Sequence, residues 1–238
     1  EIEAFKAVEY WTLGAELKKN SGEQFLAHFR EKNGEKFVPS TQAETDAILT
    51  DLEGSSYAVK EIETKEITKT PPPPFTTSTL QQEAGRKLGF SVKQTMVVAQ
   101  QLYEGVNLGK GIGTTGLITY MRTDSVNLSE TALNDAKATV EKLYGREYVL
   151  AAPRTYKTKA KGAQEAHEAI RPTEMGRTPQ SVGGALDEQQ LKLYTLIWNR
   201  AMATQMAAAE IKRVGANIEA KGKKDVYTFR ATGQTVTF

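Results

Sequence analysis

Four consecutive prolines, Pro71 to Pro74, limit how this chain can fold more than any other feature. Each fixes φ and lacks an amide hydrogen, so the run can continue neither a helix nor a central strand. It is a stiff connector, and the hydrophobic period differs on its two sides. Before it, residues 4–19 (AFKAVEYWTLGAELKK) alternate loosely and are rich in Val, Tyr, Trp and Thr, which predicts a strand. EQFLAHFREKNGEKFV reads as a strand followed by an Asn33-Gly34 hairpin turn. Thr41 is expected to cap a short helix, with Glu44 as its capping-box partner, running to about Leu52 and ended by Gly54. Residues 56–68 (SYAVKEIETKEIT) alternate again.

Beyond the prolines the period becomes helical. Helices are expected over Thr77 to Leu88, stopped by Gly89; after a Ser91 cap, ended by Gly105; and after a Ser129 cap, ended by Gly145. A fourth should run from Asp187 to about Met206, with Leu191, Tyr194, Leu196, Ile197 and Trp198 as core positions. The tail, AEIKRVGANIEAKG and DVYTFRATGQTVTF, returns to strand alternation around a charged turn at Lys221 to Lys224. The fold class is therefore α+β. Both chain ends (1–70 and 207–238) form a β-rich domain, and a mainly α-helical domain (71–206) is inserted between them. The chain begins without an initiator Met or a signal pattern and stops at Phe238 without a cap, which reads as excision from a longer one.

Composition excludes several classes. No apolar run approaches the roughly 18 residues of a membrane span. The chain has no cysteine, so disulfides, thiol catalysis and Cys-based zinc sites are ruled out together, as suits a cytoplasmic protein. Net charge is +2, yet Arg154 to Arg177 holds six Lys or Arg against three Glu. That stretch is either a solvated loop or a phosphate-facing strip.

Gly111, Gly113 and Gly116 fit the spacing G-x-G-x-x-G. A dinucleotide fingerprint needs a strand before its glycines and a helix after them. Here a helix precedes, β-branched LITY follows, and no helix starts until Ser129. The glycines are better read as a flexible turn, or as positions whose missing Cβ lets another chain's backbone come close.

The next residues carry chemistry. In an extended segment Tyr120 and Arg122 point the same way. A phenol with a pKa of about 10 is a poor nucleophile at neutral pH, but a neighbouring guanidinium favours the phenolate and can clamp a phosphate. Tyr-x-Arg thus suits attack on a phosphodiester, although a strand tyrosine beside a surface arginine is the plainer reading of two residues. His28 reads as structural or exposed. His167 lies in QEAHEAIRPT among Glu165, Glu168 and Arg171, where it suits a phosphate contact or proton transfer. A zinc motif His-Glu-x-x-His fails there because position 171 is Arg171.

GLITYMRTDS (116–125) closely resembles the active-site segment of type IA DNA topoisomerases, bacterial ones in particular. PFTTSTLQQEA (74–84) and EAHEAIRPT (165–173) resemble two further motifs of that family, in matching order and spacing. The resemblance implies that Tyr120 attacks one DNA strand and becomes linked to the 5′ phosphate, conserving the bond energy so that resealing needs no ATP. It implies that Arg122 assists at the scissile phosphate and that His167 contacts DNA there. Arg171 and Lys110 are added on chemical grounds as backbone contacts.

Family members form a torus of four parts, and this layout resembles the β-rich arch plus the tyrosine-bearing domain. The family's acidic, Mg2+-binding Toprim domain and its single-strand groove domain have no counterpart here; Asp124 alone is a weak metal candidate. The expectation is a fragment that holds no cofactor itself. Its partners would be single-stranded DNA and the missing Toprim and groove domains, with no membrane, in the cytoplasm at the nucleoid. Alone it should cleave negligibly, relax nothing, and bind single-stranded DNA weakly and salt-sensitively. Pro71 to Pro74 and Met206 to Ala209 are hinge candidates. Two rivals stand beside this reading: a non-enzymatic DNA-binding or scaffold module with Tyr120 buried, and a tyrosine recombinase leaving a 3′-phosphotyrosine.

Overall fold

The computed structural model describes residues 4, 6–109, 111–157 and 168–238. Two compact units divide the chain: Glu1–Lys69 with Ala209–Phe238, and Thr70–Ala208. The content is mixed helix and antiparallel sheet, so the fold class is α+β.

The first unit is built on one six-stranded sheet. β1 (Gly14–Lys18), β2 (Gln24–Lys32), β3 (Glu35–Lys36), β4 (Tyr57–Lys69), β7 (Ala209–Lys221) and β8 (Val226–Val236) are ordered β1-β2-β8-β7-β4, with β3 paired to β2. Every pairing is antiparallel. The turn between β2 and β3 is where Asn-Gly chemistry puts it, both residues having the positive φ that this dipeptide tolerates (55° and 82°). The first strand is shorter than alternation alone suggests. Its ladder partner on β2 spans only Gln24 to His28, opposite Gly14 to Lys18, and residues 6–13 take no strand conformation.

Helix α1 (Gln42–Leu52) puts Ile48 and Leu52 into a core with Leu13, Ala27, Phe29, Ile218, Ala220, Tyr227 and Phe229. Its N-cap is Thr41, whose hydroxyl accepts from the Glu44 amide at 3.3 Å. The Glu44 carboxylate reaches one residue further back than a capping box requires, accepting from the amide and hydroxyl of Ser40 (2.7 and 2.9 Å). Asp51 closes the β7–β8 turn by accepting from the Lys224 and Asp225 amides and the Tyr227 hydroxyl. Burial opposes ionisation of Asp51, but these donors outweigh it and hold the carboxyl below its ordinary value.

The second unit packs α2 (Thr77–Leu88), α3 (Val92–Glu104), α4 (Glu130–Tyr144), a short α5 (Pro179–Val182) and α6 (Glu188–Thr204) around one apolar core. Ser91, Ser129 and Asp187 cap their helices through side-chain oxygens, and Gly89 ends α2 in the left-handed conformation. The buried stripe of α6 is Leu193, Tyr194, Ile197, Trp198, Ala201 and Met202, a helical spacing. Leu191 and Leu196, expected in the core, sit half-buried at its margins. Two polar atoms buried with this stripe are satisfied by backbone carbonyls: the Tyr194 hydroxyl donates to Arg177 O (2.6 Å) and the Trp198 indole to Met175 O (2.8 Å).

The ends of this unit are fastened down. The Tyr156 hydroxyl donates to Pro71 O (2.9 Å) and Arg200 to Pro73 O (3.1 Å). Arg154 donates to Thr204 O and Met206 O (2.8 and 2.9 Å), and the Ala207 amide donates to Tyr148 O.

Candidate active site

The glycine stretch makes a hairpin. β5 (Val106–Asn107) pairs with β6 (Thr114–Thr115), and Gly109, Gly111 and Gly113 in the loop all have positive φ. The helix that precedes it is α3 and the next helix is α4, the reverse of a dinucleotide site. Gly116 has a different task. A Cβ there would lie 2.6 Å from the carbonyl oxygen of Tyr103, so the missing side chain admits this chain's own helix end. The Leu117 amide completes that approach by donating to Leu102 O at 2.7 Å.

From Leu117 onward the segment is threaded between two others. Ile118 bridges Pro172, the Thr119 amide donates to Arg171 O, and the Thr173 amide donates to Leu117 O. The Thr119 hydroxyl donates to Ala169 O (2.7 Å) and accepts from the Arg171 amide (3.0 Å). On the other side of the tyrosine, Thr77 at the start of α2 takes over. Its amide donates to Thr123 O, and its hydroxyl donates to Met121 O (2.7 Å) while accepting from the Thr123 amide (2.9 Å). A bridge between Phe75 and Ile170 ties the two flanking segments to each other. All three sequence motifs therefore meet in one small network.

This threading fixes the alternation of side chains. Met121, Thr123 and Ser125 are buried, while Tyr120, Arg122 and Asp124 are exposed on the opposite side. Tyr120 is 47% exposed, with its ring edge-to-face against Tyr103 at 5.4 Å between centroids. Among the described residues, the Tyr120 hydroxyl and the Arg122 guanidinium have no hydrogen-bond or ion-pair partner. A tyrosine buried as a scaffold residue is not what is found.

Arg171 is placed differently. Its side chain is only 11% exposed. The guanidinium is engaged by both carboxylate oxygens of Glu168 (3.3 and 2.7 Å) and by the carbonyls of Pro172 and Thr173 (2.8 and 3.3 Å). Glu168 also accepts from the Ser129 amide at 2.6 Å, joining α4 to the network. Burial pushes the Glu168 carboxyl up, but the Arg171 and Ser129 hydrogen bonds win and leave it below its ordinary value. Lys110 and His167 lie outside the described residues.

Sequence reasoning missed Thr77 and Thr119. Thr77 stands inside a quoted motif, but a threonine whose partners lie 44 and 46 positions away gives no local signal. Asp124 is not joined by other carboxylates or imidazoles: among the described residues no three His, Asp or Glu side chains group as metal ligands would. Among the described residues no helix is long and apolar enough to cross a membrane.

The family description DNA topoisomerase matches residues 1–238, and the chain belongs to that family. More particularly, it is 44% identical over 241 residues to DNA topoisomerase 1 of Rickettsia felis and 43% over 242 residues to that of Xylella fastidiosa. Those matches cover 100% and 99% of this chain but 30% and 29% of the relatives, so the chain spans under a third of their length. Full-length topoisomerase I from Thermotoga maritima superposes with a TM-score of 0.74 at 34% identity, over 100% of this chain and 36% of that one.

Proposed function

We propose that this chain supplies the nucleophile of a type IA DNA topoisomerase, and that Tyr120 is that nucleophile. What carries this is the exposed Tyr120 hydroxyl, without a partner among the described residues, on a segment pinned on both sides, with Arg122 exposed two residues on. In the reaction the Tyr120 oxygen loses its proton and attacks the phosphorus of one DNA strand. The bond from phosphorus to the 3′ oxygen breaks, that oxygen leaves as a hydroxyl, and the 5′ phosphate stays on the tyrosine. Resealing is the reverse, so one ester replaces another and no nucleotide is consumed. While the strand is open another passes, which relaxes negative supercoils.

Arg122 clamps the non-bridging phosphate oxygens and offsets the charge that builds on them. His167 contacts the same phosphate. Arg171 contributes from inside: its guanidinium is committed to Glu168 and two carbonyls, and its segment pairs with Leu117, Ile118 and Thr119, just before Tyr120. Tyr103 braces the nucleophile's ring.

The substrate proposed at the cut is single-stranded DNA, as the likeness of GLITYMRTDS to the type IA active-site segment implies. Mg2+ belongs to the Toprim part of such enzymes, and the isolated 238-residue chain is expected to leave supercoiled DNA unrelaxed. A protein of this activity works at the nucleoid.

The test is Tyr120→Phe in the complete protein that carries this chain. Loss of cleavage with retained DNA binding supports the reading. Unchanged cleavage would assign the segment to a scaffold, and protein found on a 3′ end would assign it to the recombinase class.

A further inference from the structure

The motif around Thr77 has no part in the chemistry above, yet the Thr77 hydroxyl bonds both peptides that flank Arg122. We propose that Thr77 is a positioning residue for Arg122: by joining the Met121 carbonyl to the Thr123 amide, it aims the guanidinium at the phosphate that Tyr120 attacks. This rests on the function proposed above and names a further residue for it.

A hydroxyl can donate once and accept twice. Thr77 donates to Met121 O at 2.7 Å, with Thr123 O as a longer second acceptor at 3.1 Å, and accepts from the Thr123 amide at 2.9 Å. Its own amide adds a third bond, to Thr123 O at 2.9 Å. The two peptides so joined are those on either side of Arg122, and the side chains of Met121 and Thr123 are buried. Rotation of the Arg122 backbone is thereby blocked at both ends, while its own side chain has no partner among the described residues. A guanidinium with no side-chain anchor takes its direction from its backbone, and Thr77 sets that backbone. Thr119 does the matching task upstream of Tyr120, so the nucleophile lies between two hydroxyl pins.

Thr77 also begins α2, which makes it rigid. The capping box of that helix uses Thr76 and Thr79 instead, so a change at Thr77 can spare the cap.

The experiment uses the complete protein, with rates of single-strand cleavage and DNA affinity measured separately. Thr77→Val keeps the shape and removes the hydroxyl; Thr77→Ser keeps the hydroxyl. A displacement of about 1 Å at a catalytic group costs about 10²-fold. The expected result is therefore cleavage reduced about 10- to 100-fold in Thr77→Val, unchanged DNA affinity, an unchanged melting temperature within a few degrees, and recovery in Thr77→Ser to within about threefold of the parent. The deciding measurement is the double variant with Arg122→Ala. If Thr77 acts through Arg122, Thr77→Val slows Arg122→Ala no further. Multiplicative losses would overturn the proposal, as would a Thr77→Ser variant as impaired as Thr77→Val. Tyr120→Phe run alongside separates the two ideas: full cleavage there sinks the proposed function itself, whereas loss there with multiplicative Thr77 and Arg122 effects sinks only this inference.

Discussion

Replacing Gly116 by alanine probes the joint on which the candidate site hangs. The added Cβ would stand 2.6 Å from Tyr103 O, whereas real Cβ atoms essentially never come within 3.0 Å of another atom, so the two backbones must separate by at least about 0.4 Å. Neither is free to yield. The adjacent Leu117 amide holds Leu102 O at 2.7 Å, and Gly116 O itself accepts from the Thr173 hydroxyl at 2.8 Å. Gly116 is not among the glycines with positive φ, so crowding is the only thing tested. Overpacking of this kind costs roughly 1–3 kcal/mol. In a domain of this size each kcal/mol lowers Tm by about 2–4 °C, so a fall of about 2–12 °C is expected. Cleavage by the complete protein should drop between a few-fold and about 10²-fold, since Tyr120 rides on the displaced segment. The melt is best followed by the fluorescence of Trp198, which is buried in the helical core, with Trp11 replaced by Phe. A Gly116→Ala chain that melts within about 1 °C of its parent would refute the claim that close approach at Tyr103 sets this geometry.

Three other expectations follow from the same network and its frame. Glu168→Gln removes the charge that Arg171 grips. The folded carboxyl lies below 4.5, so its stabilising contribution is complete above about pH 4.5 and fades as pH falls through the lower folded value. Denaturant melts from pH 7 to 3 should therefore show the parent ahead at neutral pH and the two converging in acid; a gap independent of pH would contradict this. Asp187→Ala removes the cap of α6, whose side chain accepts from Gln190 N at 2.8 Å, and should cost about 1 kcal/mol in chemical denaturation, with Asp187→Ser recovering most of it. Tyr120→Phe should melt like its parent, because the hydroxyl it removes has no partner among the described residues; a large loss of stability would show that the phenol is structural.

What could be read from the residues was local. Ser91, Ser129 and Asp187 cap helices because a short polar side chain can reach an amide three residues on, which needs no tertiary partner. Asn33-Gly34 bends because of its own backbone preferences. The alternation of Tyr120, Arg122 and Asp124 is likewise local. Residues 6–13 show the limit: alternation marks a strand, but a strand forms only where another offers its edge, and β2 offers five residues. Helix α6 shows another, because which leucines are buried depends on what packs against the helix, and Leu193 prevailed over Leu191 and Leu196. Arg171 shows a third. Its internal partners, Glu168 three residues away and two carbonyls, were not foreseen from a cation in a basic stretch. In the candidate site the exposure of Tyr120 and Arg122 follows from local alternation, whereas the threonines that pin their segment have distant partners and gave no local signal.

The anchors at the ends of the helical unit have a mechanical consequence. The last rung of the long β4–β7 ladder is Lys69 opposite Ala209. Pro71 is already tethered by Tyr156 and Ala207 by Tyr148. Between rung and tether lies a single residue on each strand, Thr70 and Ala208, so torsional freedom there is concentrated in four backbone angles. The prolines that follow already hold φ fixed from 71 to 74, so proline at Thr70 would lengthen that stiff run by one residue and take away the Thr70 amide as a donor.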